Sequence, residues 1–158
     1  MFESLLANFQ TMGTMNPLPP FANYFVAAAL LVVLPHGLRW LPWLVTPVIT
    51  AMSIASMAHG VHLSLDVVGL SLHIVEVDKL SLLFAYLFCL ASFIAGIFSL
   101  HLRDRLQHVV SMLYSGAAIG AVFAGDLLTL FVFWECLAAT SVFLIWSRRS
   151  VHSYSAGL

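Results

Sequence analysis

Charge is what this chain has least of. Six Lys and Arg and seven Asp and Glu make 8% of the 158 residues, where a soluble domain carries roughly 25%. So few charges cannot coat a water-facing surface. A formal net charge of −1, with no basic stripe and no interleaving of aromatic and basic residues, excludes nucleic acid as a partner. Cysteine is scarce too. Cys89 and Cys136 fall inside apolar runs without C-x-x-C spacing, so both read as small buried hydrophobes. Six histidines (His36, His59, His62, His73, His101 and His108) fall at or beyond the ends of apolar runs, and His152 is in the tail. A membrane haem needs facing histidines inside helices, so neither haem nor metal ligation is expected, and no cofactor is assigned. Residues 1–20 are polar and Pro-containing, with no basic stretch leading into an apolar one. No cleaved signal peptide is expected.

What is abundant is apolar surface. Hydrophobic residues make up 61% of the chain and the mean hydropathy is +1.00. The expected fold class is therefore an all-α integral membrane protein, and at roughly 20 residues per span the length allows about five helices. Nothing is left over for a soluble catalytic domain. The apolar stretches predict spans at 21–34, 41–57, 80–100, 108–124 and 127–146. Pro42 and Pro47 interrupt the second, so an irregular start is expected there.

Between the second and third spans the period changes from helical to two. His62, Ser64 and Asp66 alternate with Leu63, Leu65 and Val67; after Val68-Gly69, Leu70, Leu72 and Ile74 alternate with Ser71 and His73. This predicts a short exterior β-hairpin over 62–77, lying against the helices because an isolated two-stranded hairpin is marginal in water. The fourth span carries Ser115, Gly116, Ala117, Ala118, Gly120, Ala121 and Ala124, small residues that admit a close helix neighbour.

The connections alternate in charge. Arg39, Arg103, Arg105, Arg148 and Arg149 stand on one side, while Asp66, Glu76, Asp78 and Asp126 stand on the other with Lys79. The positive-inside rule then predicts the N-terminus outside and the C-terminus inside. Trp40, Trp43 and Trp146 fall at span ends, where indole rings favour the headgroup level.

One residue breaks the apolar pattern of the fifth span. Glu135 lies near the middle of an otherwise uncharged run, with Leu128, Phe131, Val132, Ala138, Ala139 and Val142 on its own helical face. An acidic side chain at the centre of a membrane helix costs at least about 2.5 kcal/mol, so such groups usually face a protein interior or a watery path and carry protons or ions. A carboxyl in an apolar medium keeps its proton and an approaching Lys or Arg releases it, the exchange a proton relay uses. The chain holds no basic residue inside a span, so a charge partner for Glu135 is expected from another polypeptide. Asp78 and Lys79 open the third span and Asp126 opens the fifth. Helix capping is the expected role of the two aspartates, with ion access as the alternative for all three.

Asp78-Lys79-Leu-Ser-Leu-Leu-Phe, Gly125-Asp126-Leu-Leu-Thr-Leu-Phe-Val-Phe-Trp134-Glu135 and the exterior hairpin together resemble the antiporter-like membrane subunits shared by respiratory complex I, Mrp-type multisubunit cation/proton antiporters and related hydrogenases. The resemblance spans the chain but covers only the beginning of the family pattern. It implies that Glu135 is the proton-translocating glutamate of the fifth helix, and that a lysine on a later helix pairs with it. It also implies other membrane subunits as partners, the bacterial cytoplasmic (inner) membrane as location, and either antiport or the membrane arm of an NADH-quinone oxidoreductase as setting. The later helices and their lysines are missing, which leaves a split subunit, a truncated product and a vestigial, non-conducting copy as alternatives. No catalytic redox site is expected on the chain, and its being an enzyme is left open, as a subunit of a proton-pumping NADH-quinone oxidoreductase.

Overall fold

The computed structural model describes residues 18–67, 70–100 and 104–147. These form five α-helices, a short 3-10 turn and one two-stranded antiparallel sheet: α1 (Pro20–Val33), the turn His36–Leu38, α2 (Trp40–Ala55), β1 (Gly60–Val67), β2 (Leu70–Val77), α3 (Lys79–Ser99), α4 (Arg105–Phe123) and α5 (Leu127–Ser147). Of these, α3, α4 and α5 are long and apolar enough to cross a membrane, whereas α1 and α2 are shorter apolar helices of 14 and 16 residues.

Local chemistry explains most of the boundaries. Pro20 starts α1 at a position where its missing N–H costs nothing. The helix stops at Leu34 (ψ 138°), which precedes Pro35 and is thereby driven out of helical geometry. Asp78 starts α3 through a reciprocal capping box: its carboxylate accepts the Ser81 backbone N–H, and its own N–H donates to Ser81 Oγ at 2.8 Å. Asp104 does the same job for α4 by accepting the Leu106 N–H. Despite Pro47, α2 runs unbroken from Trp40 to Ala55. Proline supplies no N–H to the carbonyl four residues earlier, that of Trp43. That carbonyl lies against Gly96 of α3, where a Cβ would stand only 3.1 Å away.

Small residues set how closely the helices pack. The buried face of α3 is Ser81, Ala85, Cys89, Ser92 and Gly96, spaced three or four apart. The most enclosed helix is α4, half of whose apolar stretch is buried, against 28% for α3 and 17% for α5. Gly116 brings α4 within 2.9 Å (at a notional Cβ) of Tyr24 Cβ on α1, and Gly120 leaves the space that the Phe133 ring of α5 fills. Phe133 in turn meets Phe21 at 5.0 Å between centroids. The core is Tyr24, Leu31, Ile54, Met112, Ile119 and Phe123, completed at one end by Val75 and Val77 of β2.

The hairpin begins at Gly60, two residues before the expected start, where φ is +129°, a conformation L residues rarely adopt. Its register runs from Gly60↔Val77 to Val67↔Leu70 and shifts twice, with His62 extra on β1 and then Ile74 extra on β2. The expected unbroken alternation is therefore interrupted. Leu65 ends up 52% exposed although Leu63 packs against the core. The connection at 68–69 lies outside the described residues.

At the opposite end of the bundle arginines finish α1. Arg39 Nε donates to the Leu34 carbonyl (3.3 Å) and Arg105 Nη1 to the Val32 carbonyl (3.1 Å), meeting carbonyls that a helix C-terminus leaves unpaired. Trp43 differs from the expectation of a headgroup-level ring. It is 2% exposed, inside the bundle, with its indole 5.7 Å from the His108 ring. Trp40, half exposed at the start of α2, and Trp146, partly exposed at the end of α5, keep their places at helix ends.

Candidate functional site

The inward stripe of α5 is Thr129 and Phe133, both buried, continuing through half-buried Leu137 and Thr140. Because Phe133 locks into the Gly120 notch, the rotation of α5 is set, and the opposite face turns away from the chain's own core. That face carries Leu128, Phe131, Val132 and Trp134, each at least half exposed, together with exposed Glu135, Cys136, Ala138 and Ala139. The structure thus differs from two expectations. Glu135 points outward from the described fold rather than inward, and Cys136 is exposed rather than buried, leaving only Cys89 in the core. The reason is steric: the side chains that fit the α4 surface are Thr129 and Phe133, and Glu135 is two residues, about 200° around the helix, from Phe133.

Glu135 stands two residues from the midpoint of Leu127–Ser147, about 3 Å along the axis. It is the one charged residue in the described helices lying more than a turn from a helix end. The basic residues Lys79 and Arg105 occupy the first positions of α3 and α4. The site is thus a single carboxyl group at mid-length on an uncovered apolar face.

The structure places Asp78, Lys79 and Asp126 elsewhere, at the hairpin end. Asp126 is engaged through both of its oxygens. Its Oδ1 accepts the Thr129 backbone N–H (2.8 Å), and its Oδ2 accepts both the Thr129 hydroxyl (2.7 Å) and the backbone N–H of His73 on β2 (2.8 Å). The Gly125 N–H donates to the His73 carbonyl at 2.9 Å, closing a clamp between hairpin and helix. A side chain at Gly125 would run into His73 and Glu76. Asp78 is similarly engaged in its capping box. The Thr129 backbone N–H, followed by its hydroxyl, holds Asp126 below its usual carboxylate range, and the Ser81 backbone N–H, followed by the Ser81 side chain, does so for Asp78. Both aspartates cap helices. Lys79 is exposed on the first turn of α3. Sequence reasoning missed the His73–Asp126 bond, which joins residues 53 apart and leaves no periodic trace.

Among the described residues no group of three or more His, Cys, Asp or Glu side chains could hold a metal ion. Comparison with family models, with curated proteins and with solved structures gives no match to this chain.

Proposed function

We propose that this chain is part of an antiporter-like, proton- or cation-translocating subunit of a multisubunit complex in the bacterial inner membrane, with Glu135 as the intramembrane proton-relay carboxylate. In this reading all five helices cross the membrane, the two short ones through their flanking residues, with the N-terminus and hairpin outside and the C-terminus inside. The observation that carries the proposal is the position of Glu135: a lone carboxyl group near the midpoint of α5, on a face that 17% burial of the helix leaves open. Facing lipid it would cost at least about 2.5 kcal/mol. A neighbouring membrane subunit with a basic residue at the same depth removes that cost and lets the proton leave when the cation approaches.

Substitution tests the relay. Glu135→Gln keeps volume and hydrogen bonding but cannot release a proton near neutral pH, so it abolishes or severely reduces translocation by the assembled complex while assembly persists. Glu135→Asp is milder, since it keeps the carboxyl group and shortens its reach. Normal transport by the Gln variant in a demonstrably assembled complex would remove the relay from consideration.

The same geometry supports a second reading, a non-conducting structural subunit, favoured by the position of the only Lys and Arg in the described helices, Lys79 and Arg105, at the first residues of α3 and α4 and not at mid-length. Between antiport and the membrane arm of an NADH-quinone oxidoreductase the discriminating measurement is whether redox cofactors co-purify with the chain.

A further inference from the structure

Pro47, Ala51 and Ala55 recur every four residues along α2, which lines one flank of that helix with side chains too short to fill the space beside α3. A groove is the result. It measures about 420 Å³, its other wall is Tyr86, Leu90 and Phe93 of α3, and it opens outward between Met52, 69% exposed, and Leu90, 55% exposed. Its lining is almost wholly apolar.

One end of the groove has a cation over it. Lys79 is seven residues before Tyr86 and eleven before Leu90, two and three helical turns, so the three share a face of α3. Lys79 also opens a helix of 21 residues, about 31 Å long, which matches a hydrocarbon core and sets the ammonium at headgroup level. Of the three Lys and Arg among the described residues, Arg39 and Arg105 donate to carbonyls at the end of α1. Lys79 makes no hydrogen bond or ion pair among the described residues. Asp78, the adjacent carboxylate, accepts the Ser81 backbone N–H and has His59 beside it, so an imidazole joins the ammonium at this end. Inward along the α3 face the order is ammonium, phenol, then apolar side chains. A phospholipid presents phosphate, ester and acyl chain in the same order.

We propose that the groove between α2 and α3 binds one acyl chain of a membrane phospholipid whose phosphate pairs with Lys79, with Tyr86 at the level of the esters. Helical side chains lean toward the helix N-terminus, which tilts the Tyr86 ring toward the Lys79 end. Lipid meets every outward face of a membrane protein, but a fixed cation over a groove holds one molecule against exchange. The inference rests on the helices crossing a membrane, as in the proposed function, and not on titration of Glu135.

Photocrosslinking of the full chain in its assembly, placed in vesicles of phosphatidylethanolamine and phosphatidylglycerol, tests the site. Two probes carry the same diazirine-bearing acyl chain: phosphatidylglycerol, and diacylglycerol, which lacks the phosphate. Adducts are located by mass spectrometry. The phosphatidylglycerol probe should label Met52 and Leu90 about fivefold more than Phe84 and Phe88, exposed α3 residues at similar depth on another face. Lys79→Gln should remove that preference, Lys79→Arg should keep it, and the diacylglycerol probe should respond to neither. Ala55→Leu, which fills the groove and leaves the cation in place, should lower labelling at Met52 and Leu90 with both probes. Even labelling of all four positions by phosphatidylglycerol overturns the site, and so does a preference that Lys79→Gln leaves intact. A groove that stays unlabelled while Phe84 and Phe88 are labelled overturns it too, because a protein partner then covers it. Failure here leaves the Glu135→Gln result untouched, and the reverse also holds.

Discussion

At the scale of single residues, the same chemical type has different work depending on what surrounds it. Three carboxylates show this. Asp78 and Asp126 lie at helix starts, where unpaired backbone N–H groups bond to their carboxylates. Glu135 lies at mid-helix, where the backbone N–H groups pair within the helix, so capping takes up none of its lone pairs. Gly120 is the counterpart among small residues. A Cβ there would collide with the Phe133 ring, which is held on its other side by Phe21. Gly120→Ala should therefore destabilise the α4–α5 contact by ~1–3 kcal/mol, the usual cost of overpacking. The loss is read as a lower midpoint of thermal unfolding in detergent, and an unchanged midpoint would mean that Phe133 moves aside freely. Gly37, with nothing within 4 Å of a notional Cβ, should tolerate alanine in the same assay.

At the scale of elements, the hairpin is held to the bundle by one charged clamp and a small apolar contact through Val75 and Val77. The clamp has a predictable pH dependence. Hydrogen bonding from Thr129 and His73 lowers the Asp126 value from its usual 3.8, so the ionised form is favoured in the fold. A lowered folded value contributes stability that is fully present above 3.8 and lost as pH falls through the lower folded value. Hydrogen exchange of the β2 amides should be independent of pH-driven opening from neutral down to about pH 5, then accelerate below 3.8. Asp126→Asn keeps acceptor capacity on one oxygen only and should raise β2 exchange at neutral pH, whereas Glu76→Gln should not. Unchanged β2 protection in the Asn variant would show that the apolar contact alone seats the hairpin.

At the scale of the whole molecule, the ends of the bundle are chemically unlike. One end carries the hairpin with Glu76, Asp78 and Asp126, and the other carries Arg39 and Arg105 bonded to the last carbonyls of α1. This polarity predicts orientation. An impermeant thiol reagent applied to the outer face should label a cysteine at position 64 and not one at 149. Labelling of both, or of 149 alone, would refute it. The wide apolar face of α5 makes the same point about assembly, since it places the least buried of the three long helices at the edge of the chain's own packing.

The sequence by itself determined where the elements lie, because the determinants are local: apolar runs of spanning length, Pro20 and Pro35 around α1, Asp78 with Ser81 before α3, and a period-two pattern between α2 and α3. Each helix came within three residues of its expected bounds at either end. The sequence could not determine which way α5 turns. A helix that is apolar nearly all round has no polar stripe to mark its outside, so one carboxyl group reads equally as buried or exposed until its neighbours are known. Only packing settled that. Phe133 fits the gap at Gly120, and the rotation that seats it carries Glu135 outward. The paired bulges at His62 and Ile74, the burial of Trp43 and the bond between His73 and Asp126 were likewise decided by tertiary contact, each depending on a surface supplied by residues distant in the chain.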